Sequence, residues 1–220
     1  MIEAENIIRQ DSDWITIAFL IILVVLVVQK KLFGNRQLHT SIFFFKKNKL
    51  VSYFNKEKNT FFNLYQLLSF VIQLISLSLL FYFITPIFNV NTKTNDLDLF
   101  IKIAFGIGFY FLIRFLIGNI FSVIFNLEKL HKKIFFEKIN YFNNLILWIL
   151  PLLVLTSYSK YFENILLKIT LIIFVVLIVI RYVLLIVNNK KLVFNNLFYF
   201  ILYLCVLEIV PLVIILKLTI

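Results

Sequence analysis

Long apolar segments are the feature that most constrains this chain. The sequence predicts six transmembrane helices, at about residues 14–33, 61–84, 99–125, 142–158, 164–187 and 197–218. A helix needs about 20 apolar residues to cross a hydrocarbon core about 30 Å thick. Hydrophobic residues make up 62% of the chain, whereas about 45–50% is usual in soluble domains. We therefore predict an all-α integral membrane protein, with residues 1–220 forming a single bundle of six transmembrane helices.

Basic residues in the connections support this count and indicate an orientation. Lys and Arg number 1, 8, 1, 4, 1, 2 and 1 on the successive sides of the six segments. Cytoplasmic loops are the ones enriched in basic residues. The alternation predicts a bacterial inner-membrane protein with periplasmic N- and C-termini. The net charge of +11 is then explained by topology, and we expect no nucleic-acid partner.

The longest connection, residues 34–60, mixes basic and apolar side chains. Lys46, Lys47 and Lys49 stand among Phe, Ile and Tyr residues. This composition favours a basic interfacial segment on the inner leaflet, where lysines meet anionic headgroups, so membrane lipids are expected partners. The alternative is a basic loop that only sets the topology.

Charged residues inside the apolar segments are candidate functional positions, because each costs about 2.5–3.5 kcal/mol at mid-membrane. Arg114 and Glu208 lie farthest from the ends of their segments, and we predict that they form a buried pair. Two alternatives are a protonated Glu208 bonded to Ser or Gln, and an Arg114 that extends to the inner surface. Pro211 follows Glu208 and removes a helical hydrogen bond beside it. The other charged residues lie near segment ends, where they can reach the interface: Lys102, Lys168 and Arg181.

Polar residues of the second segment recur at helical spacing. Gln66, Ser69, Gln73 and Ser76 are separated by 3, 4 and 3 residues, which places all four on one helix face. We expect that face to look into the bundle, where polar side chains bond between helices. It serves either helix packing, through Ser69 and Ser76 above all, or a hydrophilic pathway.

Small residues mark the third segment as a packing helix. Gly106 and Gly118 stand on one ridge with Arg114 between them. Small residues allow close approach of neighbouring helices in membranes. We therefore predict that the third helix is central and that these glycines pack against its neighbours.

The sequence contains no pattern typical of catalysis or cofactor binding. One cysteine and two distant histidines, His39 and His131, offer no metal-ligand cluster. Hydrolase, phosphate-loop and dinucleotide-binding motifs are also missing. We predict no catalytic, cofactor-binding or metal-binding residues, and favour a non-enzymatic protein without deciding against an enzyme.

Several stretches resemble a known family. They are residues 56–63 (KEKNTFFN), 76–83 (SLSLLFYF), 110–118 (YFLIRFLIG), 144–151 (NLILWILP) and, most specifically, 203–211 (YLCVLEIVP). They resemble multi-span inner-membrane proteins from Bacteroidota that are known only as a domain of unknown function. The resemblance covers nearly the whole chain and implies a Gram-negative inner membrane and about this helix count. It places Arg114, Pro151, Glu208 and Pro211 at family-like positions and implies no activity.

These observations favour an accessory or assembly partner of an envelope complex that acts through helix contacts. Its expected partners are other membrane proteins or further copies of itself. The main alternative is a small transporter or lipid-handling protein with a cavity around Glu208, Arg114 and Gln73. A membrane-embedded enzyme is a third, weaker alternative.

Overall fold

The computed structural model describes residues 13–34, 64–85, 95–124, 128–159 and 163–188. Within these ranges the chain forms long α-helices and no strands. They are α1 (Asp13–Phe33), α2 (Leu64–Ile84), α3 (Asp96–Ile124), α4 (Glu128–Tyr158) and α5 (Glu163–Asn188). The predicted sixth helix, 197–218, and residues 35–60 of the predicted interfacial segment lie outside the described residues.

All five helices are long and apolar enough to cross a membrane, with mean hydropathy from 1.6 to 3.1 over their most apolar windows. Their outer faces carry many large apolar side chains, such as Phe105 at 79% exposed and Trp148 at 60% exposed. Such extensive apolar surface is unfavourable in water and is the surface that lipid solvates. The all-helical, membrane-type fold class is thus confirmed for the described part of the chain.

Helices α2 and α4 lie at the centre of the described bundle. Helix α2 contacts α1, α3 and α4, whereas α4 contacts α2, α3 and α5. About half of the apolar window of α4 is buried (50%), as is 44% of that of α2, but none of that of α3 (0%). We expected the third helix to be central. Among these five helices, however, α3 is peripheral.

An apolar core fills the half of the bundle where α1 begins and α2 ends. Aromatic rings pack at the end of this core where α1 begins. The Trp14 ring meets Tyr82 edge-on at 4.9 Å and Phe100 at 5.0 Å between ring centroids. Side chains of α1, α2 and α4 supply the buried cluster: Ala18, Ile22, Ile72, Leu77, Leu79, Leu80, Phe142, Leu145, Ile146, Ile149 and Leu153. Close packing of this kind is the main attraction between helices in lipid.

Helix α4 begins earlier than the sequence pattern indicated. The apolar segment predicted a helix from residue 142, but the helix starts at Glu128 and runs for 31 residues, about 46 Å at 1.5 Å per residue. Residues 128–141 carry Lys and Glu side chains, which lower the hydropathy. Backbone hydrogen bonding in a helix does not require apolar side chains, so the helix continues beyond the apolar segment.

Candidate functional site

Buried polar groups with rich hydrogen-bonding chemistry concentrate toward one end of the bundle. We call this the polar end; there α1, α3 and α5 finish and α2 and α4 begin. The buried polar side chains in this half include Gln29, Ser69, Gln73, Ser122, His131, Glu137, Lys138, Asn140 and Arg181. In the opposite half, the hydroxyls of Ser78, Thr156 and Thr170 donate to carbonyls of their own helices at 2.7–2.8 Å. The chemically versatile groups therefore lie at the polar end.

A buried glutamine joins α1 to α2 at the polar end. The Gln29 side chain is 1% exposed, and its Nε2 donates to Ser69 Oγ at 2.9 Å and to the Tyr65 carbonyl at 3.2 Å. Ser69 Oγ in turn donates to the Tyr65 carbonyl at 2.8 Å. Ser69, predicted as a packing residue, thus takes part in an interhelical hydrogen-bond network, while Gln29 was not predicted.

A buried arginine joins α5 to α4. Arg181 Nη2 donates to the Lys138 carbonyl at 3.1 Å, and the guanidinium carbon lies 4.7 Å from the centre of the Phe142 ring. The side chain is only 8% exposed. The expectation that Arg181 reaches the interface therefore differs from the structure. A carbonyl acceptor and an aromatic face hold the cation inside the bundle instead.

A cavity of about 360 Å³ lies among α2, α3, α4 and α5. Three predicted residues, Gln66, Gln73 and Arg114, line it. They are joined there by His131, Lys138 and Arg181. Apolar side chains and one glycine form the rest of its wall: Leu67, Phe70, Gly108, Phe111, Leu112, Phe115, Phe135, Ile139 and Phe142. The cavity therefore combines apolar walls with three cationic side chains.

The cavity has a buried wall and an exposed side. Lys138 and His131 on the buried wall are 4% and 3% exposed, whereas Leu67 and Leu112 on α2 and α3 are each 54% exposed. Phe70 and Phe111 meet edge-on between these two helices, with ring centroids 5.7 Å apart. The cavity thus borders the outer surface between α2 and α3, where the surrounding side chains are apolar.

The buried wall contains a histidine with an altered pKa. Burial, with a smaller contribution from the Lys138 charge, lowers the pKa of His131 from 6.5 to about 4. The ring stacks on Phe135 at 6.0 Å between centroids, just before the apolar window of α4 that starts at Ile134. The imidazole is therefore neutral at pH 7, and the cationic groups of the cavity are Arg114, Lys138 and Arg181.

The remaining predicted residues take different positions. Gln73 Nε2 makes a long contact, 3.5 Å, with the Ile139 carbonyl of α4, and Ser76 is fully buried. Gly118 is buried. Gly106 is exposed, and among the described residues nothing lies within 4 Å of the position its Cβ would take. Glu208 and Pro211 lie outside the described residues, so the Arg114–Glu208 pair stays a prediction.

The sequence analysis missed the contribution of α4 to this site. His131, Phe135, Lys138 and Phe142 recur every three or four residues, so they share one helix face, and all four line the cavity. That periodicity is visible in the sequence once the helix is extended ahead of residue 142.

Within the described ranges, no three His, Cys, Asp or Glu side chains converge as metal ligands do.

Fold and cavity together define a helical protein of the membrane-spanning type, with a basic pocket inside its bundle. The chain belongs to the family described as Domain of unknown function (DUF4271), whose model matches residues 15–219. The resemblance noted in the sequence is thereby confirmed. Searches of curated proteins and of solved structures gave no match.

The lowered pKa of His131 predicts a pH-dependent stability. Because the unfolded histidine takes up its proton near pH 6.5 and the folded one near pH 4, its contribution is complete above pH 6.5 and declines as the pH falls toward 4. We expect the unfolding midpoint in detergent to fall by about 5 °C more in the wild type than in His131→Gln between pH 7 and pH 4.5. Parallel pH profiles for the two proteins would contradict this assignment.

Proposed function

We propose that the protein is a non-enzymatic, multi-pass membrane protein that binds an anionic amphiphile, a lipid of its own membrane, in the cavity at the polar end. The observation that carries this proposal is the lining of the cavity by Arg114, Lys138 and Arg181 together with apolar side chains. An anionic headgroup complements the cations, and a hydrocarbon chain complements the apolar wall.

The surroundings of the cavity strengthen this complementarity. Charges interact several times more strongly inside a bundle of apolar helices than in water, because the effective dielectric constant is lower. Two of the three cations, Lys138 and Arg181, are buried. An anion in this cavity would lie beside buried cations, whereas Lys102 and Lys168 are exposed. This supports a binding role for the cavity over a role in folding alone.

The described lining lacks the groups that lipid hydrolysis commonly uses. It includes no Ser, Cys, Asp or Glu, so those residues supply neither a hydroxyl or thiol nucleophile nor a pair of carboxylates. A lipid-binding or lipid-transport role fits the lining better than hydrolysis does. The lipid-handling interpretation of the sequence is accordingly the one that we now favour.

An accessory role in an envelope complex is the second candidate. It is favoured by Gly106, which leaves open space on the exposed side of α3, the kind of position at which a partner helix can approach closely. Under this candidate, α3 would contact another membrane protein or a second copy of the chain.

For the location, we propose the bacterial inner membrane, with the polar end toward the cytoplasm and both termini in the periplasm. The alternating numbers of Lys and Arg along the chain support this orientation. Reporter fusions at Lys49 and Lys133 should be cytoplasmic, and fusions at Thr94 and at the C-terminus should be periplasmic. A cytoplasmic C-terminus would contradict the proposal.

Two glycines of α3 provide a matched test of lipid binding. Gly108 lines the cavity, and a Cβ there would lie 3.4 Å from Leu74 Cδ1, whereas Gly106 has open space. The change Gly108→Leu places four carbon atoms at the cavity wall, but Gly106→Leu places them on the exposed surface. We expect the wild type and Gly106→Leu to retain an anionic amphiphile through purification, and Gly108→Leu to retain about tenfold less of it.

The readout is mass spectrometry of lipids extracted from each purified protein, normalised to protein amount. Thermal unfolding midpoints of both variants check that the bundle has formed. Equal retention by both glycine variants would contradict binding in the cavity. A protein that carries no amphiphile but co-purifies with one membrane protein in fixed ratio would favour the accessory role.

A further inference from the structure

We infer that the cavity selects anionic lipids whose headgroup is a phosphate monoester. We infer also that this phosphate enters sideways from the bilayer between α2 and α3, while the rest of the lipid's acyl chains stay in the hydrocarbon. This inference rests on the proposed function and names the ligand class and its route. It is carried by the kinds of hydrogen-bond donors around the cavity and by which of its sides is exposed.

The donors around the cavity suit a phosphate better than a carboxylate. Two guanidinium groups, Arg114 and Arg181, and one ammonium group, Lys138, line the same space. A guanidinium presents five N–H donors in a planar fork that matches phosphate oxygens in pairs. A phosphate offers more acceptor oxygens than a carboxylate does, and so can meet donors from several helices at once.

Neutral donors complete this half of the cavity. Gln66 and Gln73 contribute carboxamides from α2, and His131 contributes an imidazole from α4. Because the pKa of His131 is lowered to about 4, its ring is neutral at pH 7 and carries one N–H. The phosphate-binding groups thus come from four helices: α2, α3, α4 and α5.

The exposed side of the cavity indicates the route. Leu67 and Leu112 flank it at 54% exposed each, and Phe70 is 38% exposed. All three side chains are apolar, so the opening faces hydrocarbon and not water. Gly108 keeps the α3 side of the opening free of a side chain. A lipid that moves in the plane of the membrane would reach this opening while its acyl chains remain in the hydrocarbon of the bilayer.

The size of the cavity agrees with partial enclosure of a lipid. Its volume of about 360 Å³ is at the lower end of the range of about 300–1,000 Å³ for pockets that enclose drug-sized ligands. Such a space accommodates a headgroup and the first part of a chain. The rest of the lipid's acyl chains must then pass out of the cavity between Leu67 and Leu112. Headgroup chemistry, rather than chain length, would therefore decide selectivity.

The test uses the purified full-length protein in nanodiscs of phosphatidylcholine that contain either phosphatidic acid or oleic acid at the same mole fraction. Native mass spectrometry measures which lipid stays bound after release from the disc. We expect phosphatidic acid to be retained at least about tenfold more than oleic acid or phosphatidylcholine, because the phosphate of phosphatidylcholine is a diester that carries a choline cation. A separate arm adds inorganic phosphate to the solution, and we expect it not to displace phosphatidic acid.

Variants on α3 connect this preference to the cavity. We expect Arg114→Gln to lower retention of phosphatidic acid about tenfold, because a charge-assisted bond is lost. Arg114→Lys keeps the charge without the fork and should give an intermediate value. Lys102→Gln is the matched control, since Lys102 is an exposed cation on the same helix. If Arg114→Gln does not fold, Arg114→Lys and Gly108→Leu decide the question.

Each contrary outcome has a distinct meaning. Retention of oleic acid equal to that of phosphatidic acid would overturn the phosphate inference but leave binding of an anionic amphiphile standing. Retention of both at the level of phosphatidylcholine would overturn the proposed function itself. Displacement by inorganic phosphate would identify an aqueous anion as the ligand and overturn the lateral route. An equal loss in Lys102→Gln would show surface attraction and overturn binding at Arg114.

Discussion

A polar side chain inside a bundle of apolar helices has no surrounding water and must find its hydrogen-bond partners within the protein. At the polar end, three side chains each donate a hydrogen bond to a neighbouring helix. Gln29 joins α1 to α2, Gln73 reaches the Ile139 carbonyl from α2 to α4, and Arg181 joins α5 to α4. One side chain thus connects α1 to α2, another connects α2 to α4, and a third connects α4 to α5. These hydrogen bonds help to set how the four helices pack at the polar end.

Helix α3 stands apart from this series, and the cavity lies where it meets the others. Its contacts with α2 and α4 include three aromatic pairs: Phe111 with Phe70 and with Phe142, and Phe115 with Phe135 at 5.3 Å between ring centroids. Gly108, which has no side chain, lines the cavity beside these rings. The result is a basic cavity next to a densely packed apolar core, in one bundle. The core maintains the helix arrangement, so the polar end can provide a binding site.

The apolar segments of the sequence predicted the five described helices well, because crossing a hydrocarbon layer imposes a length that composition reveals. The spacing of Gln66, Ser69, Gln73 and Ser76 also indicated the inward face of α2; Ser69, Gln73 and Ser76 are buried. The start of α4 was missed, since charged residues around Lys138 resemble a connection when hydropathy alone is considered. Arg181 was assigned to the interface because it lies near the end of its apolar segment, from which an arginine side chain is long enough to reach the interface. Its binding to the Lys138 carbonyl depends on how α4 and α5 pack, which the sequence does not specify.

The central claim is that the space beside Phe111 holds a lipid with a phosphate monoester headgroup, while Phe109, on the same helix and 62% exposed, meets ordinary bilayer. A photoreactive amino acid placed at position 111 or 109, in cells, would capture the lipids next to each site for identification by mass spectrometry. We predict that adducts at position 111 are enriched in lipids with a phosphate monoester headgroup, whereas adducts at position 109 follow the bulk composition. The same lipid composition at both positions would contradict the account.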